Sequence, residues 1–159
     1  MLQIGKNITQ SGDIMQKITI EQLYNWLINP KQDVYNMIQQ LRIVRSLDAD
    51  KYRKLKVQLP YFTAGIFNPA IRKTENFAWI LYLVLDFDHL NEKGTNVEEL
   101  KSKLINDNRI VLLFTSPGGD GLKVIFELSE KCFDAAKYSL FYKVFAKSFA
   151  TFSSQSSGS

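Results

Sequence analysis

The feature that most constrains this chain is an almost unbroken apolar and aromatic run from Phe77 to Phe87, interrupted only by Asp86. The apolar part, residues 77–85, is about half as long as a membrane-spanning helix requires. It is also rich in residues that favour strands, and a short continuous run of this kind is typical of a central strand buried on both faces. We therefore expect a sheet built around residues 77–87, with Asp86 and Asp88 at the end of its central strand.

The residues before this run predict helices. Thr19 and Gln22 have the spacing of a capping box, which indicates the start of a first helix. A second helix is expected after Pro30 and through about Val44, because apolar residues recur there with helical spacing. Residues 1–15 are polar and aperiodic, so the sequence predicts a frayed terminus.

The residues after the run predict one helix, a hairpin and a final helix. Asn96 is a candidate N-cap for a helix over residues 97–106. Residues 109–115 and 122–128 read as strands joined by a short glycine-rich loop, which favours an antiparallel hairpin. A last helix is expected over residues 133–152. The order of these elements predicts an α+β domain with a mostly antiparallel sheet, preceded by N-terminal helices.

Composition limits the class of protein. The 159 residues suit one domain, which we expect over residues 1–150, with a flexible Ser-rich tail at 151–159. Cys132 is the single cysteine, so an internal disulfide and a cysteine zinc cluster are excluded. The sequence shows neither the pattern of a signal peptide nor that of a membrane span, so we expect a cytoplasmic protein with no membrane partner. The net charge of +4 permits an anionic partner but does not require one.

Asp86 and Asp88 are the first candidate site. Side chains two residues apart on a strand point the same way, with Cα atoms roughly 6–7 Å apart, so one hard cation could lie between these carboxylates. Mg²⁺ and Mn²⁺ prefer such oxygen ligands, and water and phosphate oxygens fill their remaining coordination positions. The alternative is that both acids simply leave a strand, where Asp is common. His89, the only histidine, is more often incidental in such a loop.

The glycine-rich turn is the second candidate site. Ser116, Gly118, Gly119, Gly121 and Lys123 combine a hydroxyl, three glycines and an amine between two strands. Glycines let backbone N–H groups approach an anion, and lysine supplies a point charge to a phosphate. The pattern is not a P-loop, because the Gly-Lys-Ser/Thr signature and the following helix are missing. The alternative is a hairpin turn that needs glycine for its backbone angles.

Basic residues form two further groups in the sequence. Lys54 and Lys56 belong to the first, and Arg72 and Lys73 form the second. Aromatic residues lie between and beside them. Such a mixture suits a single-stranded DNA or RNA template. The alternative is a solvated helix face.

Three stretches together resemble a known family. They are residues 62–67, with the form Phe-x-x-Gly-x-Phe, the Asp-x-Asp segment 85–88, and the segment Ser-Pro-Gly-Gly-Asp-Gly-Leu-Lys at 116–123. In this order they resemble the N-terminal domain of virulence-associated-protein-E-like (VirE-like) proteins, a branch of the archaeo-eukaryotic primase or primase-polymerase superfamily. The similarity extends from about Leu23 to Phe149.

The resemblance implies an RRM-like, primase-type core and metal-dependent nucleotidyl transfer. Asp86 and Asp88 would hold Mg²⁺ or Mn²⁺, while Ser116, Gly121 and Lys123 would contact the phosphates of a nucleoside triphosphate. Domains of this family occur in DNA replication modules of mobile elements and in CRISPR-associated systems, often with a helicase.

Two departures from the family limit that expectation. Lys123 stands where the wider superfamily usually has histidine. The third acidic motif, which lies on a later strand in the superfamily, has no counterpart after Lys123, so we expect the chain to stop within the family domain. We therefore expect nucleotide binding with slow or no polymerisation. The alternatives are a non-catalytic nucleotide or nucleic-acid-binding module and a metal-dependent nuclease.

Overall fold

The computed structural model of the chain describes residues 1–155 and has an α+β fold with two antiparallel sheets and five α-helices in that range. This confirms the predicted fold class. The elements, in chain order, are β1 (Leu2–Gly5), β2 (Gln16–Ile18), α1 (Ile20–Ile28), α2 (Gln32–Arg45), α3 (Ala49–Lys56), β3 (Tyr61–Thr63), β4 (Gly65–Phe67), a 3₁₀ turn (Thr74–Asn76), β5 (Phe77–Phe87), α4 (Val97–Leu104), β6 (Ile110–Thr115), β7 (Leu122–Cys132) and α5 (Ala135–Gln155).

The larger sheet has the strand order β4-β5-β7-β6, with all neighbouring strands antiparallel. β5 is the central strand that the apolar run predicts, and β6 and β7 form the predicted hairpin. The connection from β5 through α4 reaches β6, which lies on the far side of β7 from β5. This is the split β-α-β arrangement of ferredoxin-like sheets. In ferredoxin-like folds the other neighbour of this first strand is the last strand of the chain. Here β4 occupies that position beside β5, and β4 comes before β5 in the chain.

One face of this sheet packs against α4 and α5. Alternate residues of β5 and β7 form its centre, because side chains on a strand alternate between faces. Phe126 contacts Phe149 of α5 edge-to-face, with ring centroids 5.1 Å apart. Burial of these side chains is the main term that holds the helices on the sheet. The buried members of this core are Leu83, Leu85, Leu90, Val97, Leu104, Leu122, Val124, Phe126 and Phe149.

The expectation of a frayed N-terminus is wrong. β1 pairs with β2 and with β3, and Leu2 packs with Tyr82 and Ile125 against the second face of the larger sheet. Gln3 is fully buried, and its side-chain amide donates to the Phe67 carbonyl (3.1 Å) and accepts from the Phe67 N–H (2.8 Å). β1 has only four residues, which is too short for a periodic signal in the sequence, and one of its two partners, β3, lies far along the chain.

The helix caps agree with their sequence signals. Thr19 and Gln22 form the capping box at the start of α1, and the Asn96 side chain accepts a hydrogen bond from the Glu99 N–H at the start of α4. α5 continues to Gln155, beyond the expected start of the tail at residue 151, and residues 156–159 of that tail lie outside the described residues. No helix among the described residues is long and apolar enough to cross a membrane.

Candidate functional site

The first row of the candidate site runs across the end of the larger sheet. The register places Asp86 of β5 opposite Lys123 of β7, and Lys123 opposite Phe114 of β6. The Lys123 ammonium donates a hydrogen bond to the Asp86 carboxylate, which forms a cross-strand ion pair. The Asp86 side chain is 45% exposed and the Lys123 side chain 27%, so both groups remain accessible from solvent.

The second row lies one step further out and contains Asp88, Gly121 and Ser116. The Ser116 N–H donates to the Gly121 carbonyl (2.8 Å), so the two residues face each other across the hairpin. A Cβ on Gly121 would lie 3.0 Å from Ser116 Oγ and 3.4 Å from Asp88 Oδ1. Ser116 Oγ and Asp88 Oδ1 therefore both lie close to Gly121, at a point where no side chain would fit. Gly121 directly precedes β7 and lies two residues before Lys123, so these contacts adjoin the Asp86 and Lys123 pair at this end of the sheet.

The glycine-rich turn is held against α2 and α3. Gly119 has a φ of +79°, in the left-handed region that favours glycine, so the hairpin-turn interpretation accounts for this position. The Arg42 Nε donates to the Pro117 carbonyl at 3.2 Å. The hydroxyl of Tyr52 lies so close to Gly118 that a Cβ there would collide with it. Both helices therefore fix the backbone of the turn.

Asp120 is a functional candidate that the sequence reasoning missed. This residue of the turn is only 5% exposed, and its carboxylate pairs with the Arg45 guanidinium of α2. The same carboxylate accepts from the Asn91 N–H (2.7 Å), while the Asp120 carbonyl accepts from the Leu90 N–H (3.1 Å). Asp120 therefore joins α2, the loop after β5 and the glycine-rich turn. An aspartate between two glycines carries no sequence signal that would distinguish this buried role from exposure.

His89, Glu92 and Asp120 form a group whose ligand atoms lie within 4.8 Å of one another. His89 Nδ1 is 3.2 Å from a Glu92 carboxylate oxygen, and the Arg45 guanidinium lies 3.6 Å from that oxygen while pairing with Asp120. The Arg45 guanidinium pairs with Asp120 and lies close to Glu92, so it already offsets part of their negative charge. The group therefore fits an ion-pair network that closes the loop better than it fits a cation site.

The donor set at Asp86 and Asp88 fits a hard divalent cation. Two carboxylates and the Ser116 hydroxyl offer oxygen ligands at one end of the sheet, which is the ligand type that Mg²⁺ and Mn²⁺ prefer. Burial raises the pKa of the Tyr142 phenol, and the negative charge of Asp86 raises this pKa further.

The two basic groups lie at different places. Lys54 and Lys56 belong to α3, the helix whose Tyr52 touches the glycine-rich turn, and the Lys56 ammonium lies 5.8 Å from the centroid of the Tyr52 ring. Arg72 and Lys73 instead lie just before β5, at the end of that strand opposite the acid pair. At a rise near 3.3 Å per residue, β5 separates the two ends by about 30 Å. The structure thus associates only the first group with the candidate site.

Comparison with known proteins gives one match. No curated protein and no solved structure matches the chain at a significant level. A family described as BT4734-like, N-terminal domain, matches residues 54–148, which is more than half of the chain. This segment contains both rows of the candidate site and the glycine-rich turn, while Arg42 and Arg45 lie outside it. The resemblance to VirE-like primase-type domains stays a prediction. The chain belongs to the BT4734-like N-terminal domain family.

Proposed function

We propose that this chain is a primase-polymerase-like domain that binds a nucleoside triphosphate together with Mg²⁺ or Mn²⁺ for nucleotidyl transfer. The observation that carries the proposal is the meeting of two sequence-distant groups at one end of the sheet. Asp86 belongs to β5 and Asp88 comes one residue after its end, whereas Ser116, Gly121 and Lys123 come from the β6–β7 hairpin. Carboxylates beside a glycine-lined hairpin offer both a metal and phosphate ligands.

Each group has a distinct role in this proposal. Asp86 and Asp88 would hold the metal, which when bound neutralises phosphate charge and polarises the reacting phosphorus centre. The Ser116 hydroxyl and the glycine backbone would bind phosphate oxygens through hydrogen bonds. The Lys123 ammonium pairs with Asp86 in the structure and would turn to a phosphate oxygen once a cation takes its place.

A cleft beside the turn shares Gly118 with the candidate nucleotide-binding residues. It encloses about 330 Å³ between the end of α2, the loop after β5 and the turn, and its lining includes Arg42 and Gly118. Ligand pockets begin at roughly this volume. The Arg42 guanidinium uses its Nε for the Pro117 carbonyl, and Arg42 lines the cleft together with the Arg45 and Glu92 pair.

A second candidate is a nucleotide-binding module without transfer activity. The specific observation is that Lys123 already neutralises Asp86, and that the one group of three metal-ligating side chains among residues 1–155 contains neither Asp86 nor Asp88. Two carboxylates hold a cation less firmly than three, and in-line transfer commonly uses two cations. This candidate predicts nucleotide binding without product.

The template and the partner proteins in this proposal rest on the family resemblance alone. We propose a single-stranded DNA or RNA template, and a helicase or CRISPR-associated partner in mobile-element replication. We also place the protein in the cytoplasm, because the single Cys132 cannot form an internal disulfide.

The test is a primer-extension assay with Mg²⁺ or Mn²⁺. The Asp86→Asn/Asp88→Asn variant should lose metal-dependent extension, because it removes both anionic ligands while keeping their volume. The matched control is Asp33→Asn/Asp50→Asn, which removes the same charge from exposed helix positions. Equal extension by the parent and the Asp86/Asp88 variant would overturn the metal site.

Calorimetric titration of a nucleoside triphosphate separates the two candidates. Binding that needs Mn²⁺ and is lost in the Asp86/Asp88 variant, without any extension by the parent, supports the non-catalytic module. Binding that is independent of the metal contradicts both carboxylates as ligands.

A further inference from the structure

A cleft also lies at the start of β5, at the opposite end of that strand from Asp86. It encloses about 270 Å³, and its lining residues are Phe67, Arg72, Lys73, Thr74, Phe77 and Ala135. The geometry points to a binding site for a segment of single-stranded nucleic acid that is separate from the nucleotide site. This inference rests on the proposed function only for the choice of nucleic acid as ligand.

The charges at the cleft favour an anion. Arg72 and Lys73 are both exposed, and neither forms an ion pair within the part of the chain that the structure describes. Glu75 and Asp134 are the acidic residues that adjoin the lining residues Thr74 and Ala135 in the sequence. Asp134 is already occupied, because it accepts hydrogen bonds from the Ala136 and Lys137 N–H groups at the start of α5. Arg72 and Lys73 therefore line the cleft as two exposed cations without an ion-pair partner among the described residues.

The apolar walls of the cleft favour an aromatic ligand. The rings of Phe67 and Phe77 meet edge-to-face with centroids 6.1 Å apart, and both rings line the cleft. The Arg72 guanidinium lies 5.5 Å from the centroid of the Tyr61 ring, which restricts where this side chain can point. Bases stack on aromatic side chains while basic groups follow the phosphates, so this lining suits a base and its phosphate.

The loop that carries the two cations is held by hydrogen bonds. The Asn76 side chain donates to the Ile71 carbonyl (3.1 Å), and the Asn76 N–H donates to the Lys73 carbonyl (3.0 Å). The Asn68 N–H donates to the Asn76 carbonyl (2.7 Å), which closes the loop at its base. A loop ordered before binding loses less conformational entropy when a ligand arrives.

A phenyl-lined cleft with two cations favours nucleic acid over an acidic peptide. An acidic side chain satisfies the cations but has no flat ring for Phe67 and Phe77, whereas a nucleotide supplies both groups. The separation of about 30 Å along β5 means that a strand held here does not compete with a nucleotide at Asp86. The site would therefore bind a part of the nucleic-acid strand that lies outside the reacting nucleotides.

The experiment measures binding of a fluorescently labelled single-stranded DNA oligonucleotide by anisotropy over a range of salt concentrations. Arg72→Ala/Lys73→Ala should weaken binding about tenfold and reduce the salt dependence by one or two phosphate contacts. The matched control, Lys143→Ala/Lys147→Ala, removes the same charge from exposed positions of α5 and should bind like the parent. Phe77→Leu should weaken binding at unchanged salt dependence.

The location is tested by photocross-linking of an oligonucleotide that contains bromouracil, with the attached peptide identified by mass spectrometry. We expect attachment within residues 65–79. Equal loss of affinity in the two double variants would overturn the site, since net charge alone would then explain binding. Attachment elsewhere, or displacement of the oligonucleotide by poly-glutamate of equal charge, would also overturn it.

The readouts separate this inference from the proposed function. If Asp86→Asn/Asp88→Asn leaves oligonucleotide affinity unchanged while Arg72→Ala/Lys73→Ala lowers it, the cleft stands even when no extension is observed. If extension occurs and depends on the acid pair but the Arg72/Lys73 variant binds like the parent, the proposed function stands and the cleft does not.

Discussion

Gly121→Ala tests how closely the candidate site is packed. A Cβ at this position would lie 2.5 Å from the Phe87 carbonyl oxygen, which is closer than real Cβ atoms come to other atoms. The obstacle is backbone of the neighbouring strand, so it cannot rotate away as a side chain would. The same Cβ would enter the space between Ser116 Oγ and Asp88 Oδ1, at 3.0 and 3.4 Å. One methyl group therefore perturbs the strand pairing and the site together.

The expected cost follows from overpacking. Adding a methyl group where the surroundings cannot yield costs about 1–3 kcal/mol of unfolding free energy. For a chain of this length each kcal/mol corresponds to roughly 2–4 °C in Tm, so the variant should melt roughly 2–12 °C lower. The strands must separate locally to admit the methyl group, and Asp88 and Ser116 would then move apart. The affinity for nucleotide should therefore fall even at temperatures where the variant is still folded.

Thermal unfolding followed by circular dichroism gives the stability, and nucleotide titration below the melting range gives the affinity. The control is Gly12→Ala, because no atom lies within 4 Å of a Cβ there. Gly12→Ala should leave unfolding free energy within about 0.5 kcal/mol of the parent. A Gly121→Ala variant that melts and binds like Gly12→Ala would refute the claim that Phe87, Gly121 and the two polar groups are in tight contact.

Three further substitutions test the rest of the structure. Asp120→Asn leaves the Arg45 guanidinium without its buried partner and should lower unfolding free energy by about 2–3 kcal/mol in urea titrations. Gln3→Leu leaves the Phe67 N–H and carbonyl unpaired and should cost a similar amount, about 2–3 kcal/mol; a neutral result would contradict the buried bridge. Burial raises the pKa of Tyr138 to about 12, so the folded state favours its neutral phenol and loses this contribution as the pH rises from 10 to about 12. Tyr138→Phe should remove that loss when unfolding free energy is measured across this range.

The parts of the fold that could be predicted are those with a local signature. The apolar run at residues 77–87 identifies β5, because a strand buried on both faces has no polar alternation. The capping box at Thr19 and the N-cap at Asn96 identify helix starts, since each depends on atoms only three residues away. The two halves of the candidate site were likewise visible as short motifs.

The parts that could not be predicted depend on contacts between distant segments. β1 is four residues long, and what makes it a strand is its pairing with β2 and β3, of which β3 begins only at Tyr61. The Asp120 carboxylate can be buried because it pairs with Arg45 and accepts a hydrogen bond from the Asn91 N–H. No residue near Asp120 in the sequence indicates either partner. Arg72 and Lys73 lie far from the candidate site because β5 runs between them and Asp86. Composition does not reveal this separation.

These distant contacts bear on where the structural unit begins. The family match starts at residue 54, within α3, and so leaves out β1, β2, α1 and α2. Yet Gln3 satisfies both backbone groups of Phe67, and Arg45 neutralises Asp120 within the glycine-rich turn. Without those residues the matched segment would keep a buried carboxylate without its counter-ion and an unpaired strand end, each of which opposes folding. The N-terminal elements are therefore part of the structure that holds the candidate site, even though the motifs that identify the site all lie after them.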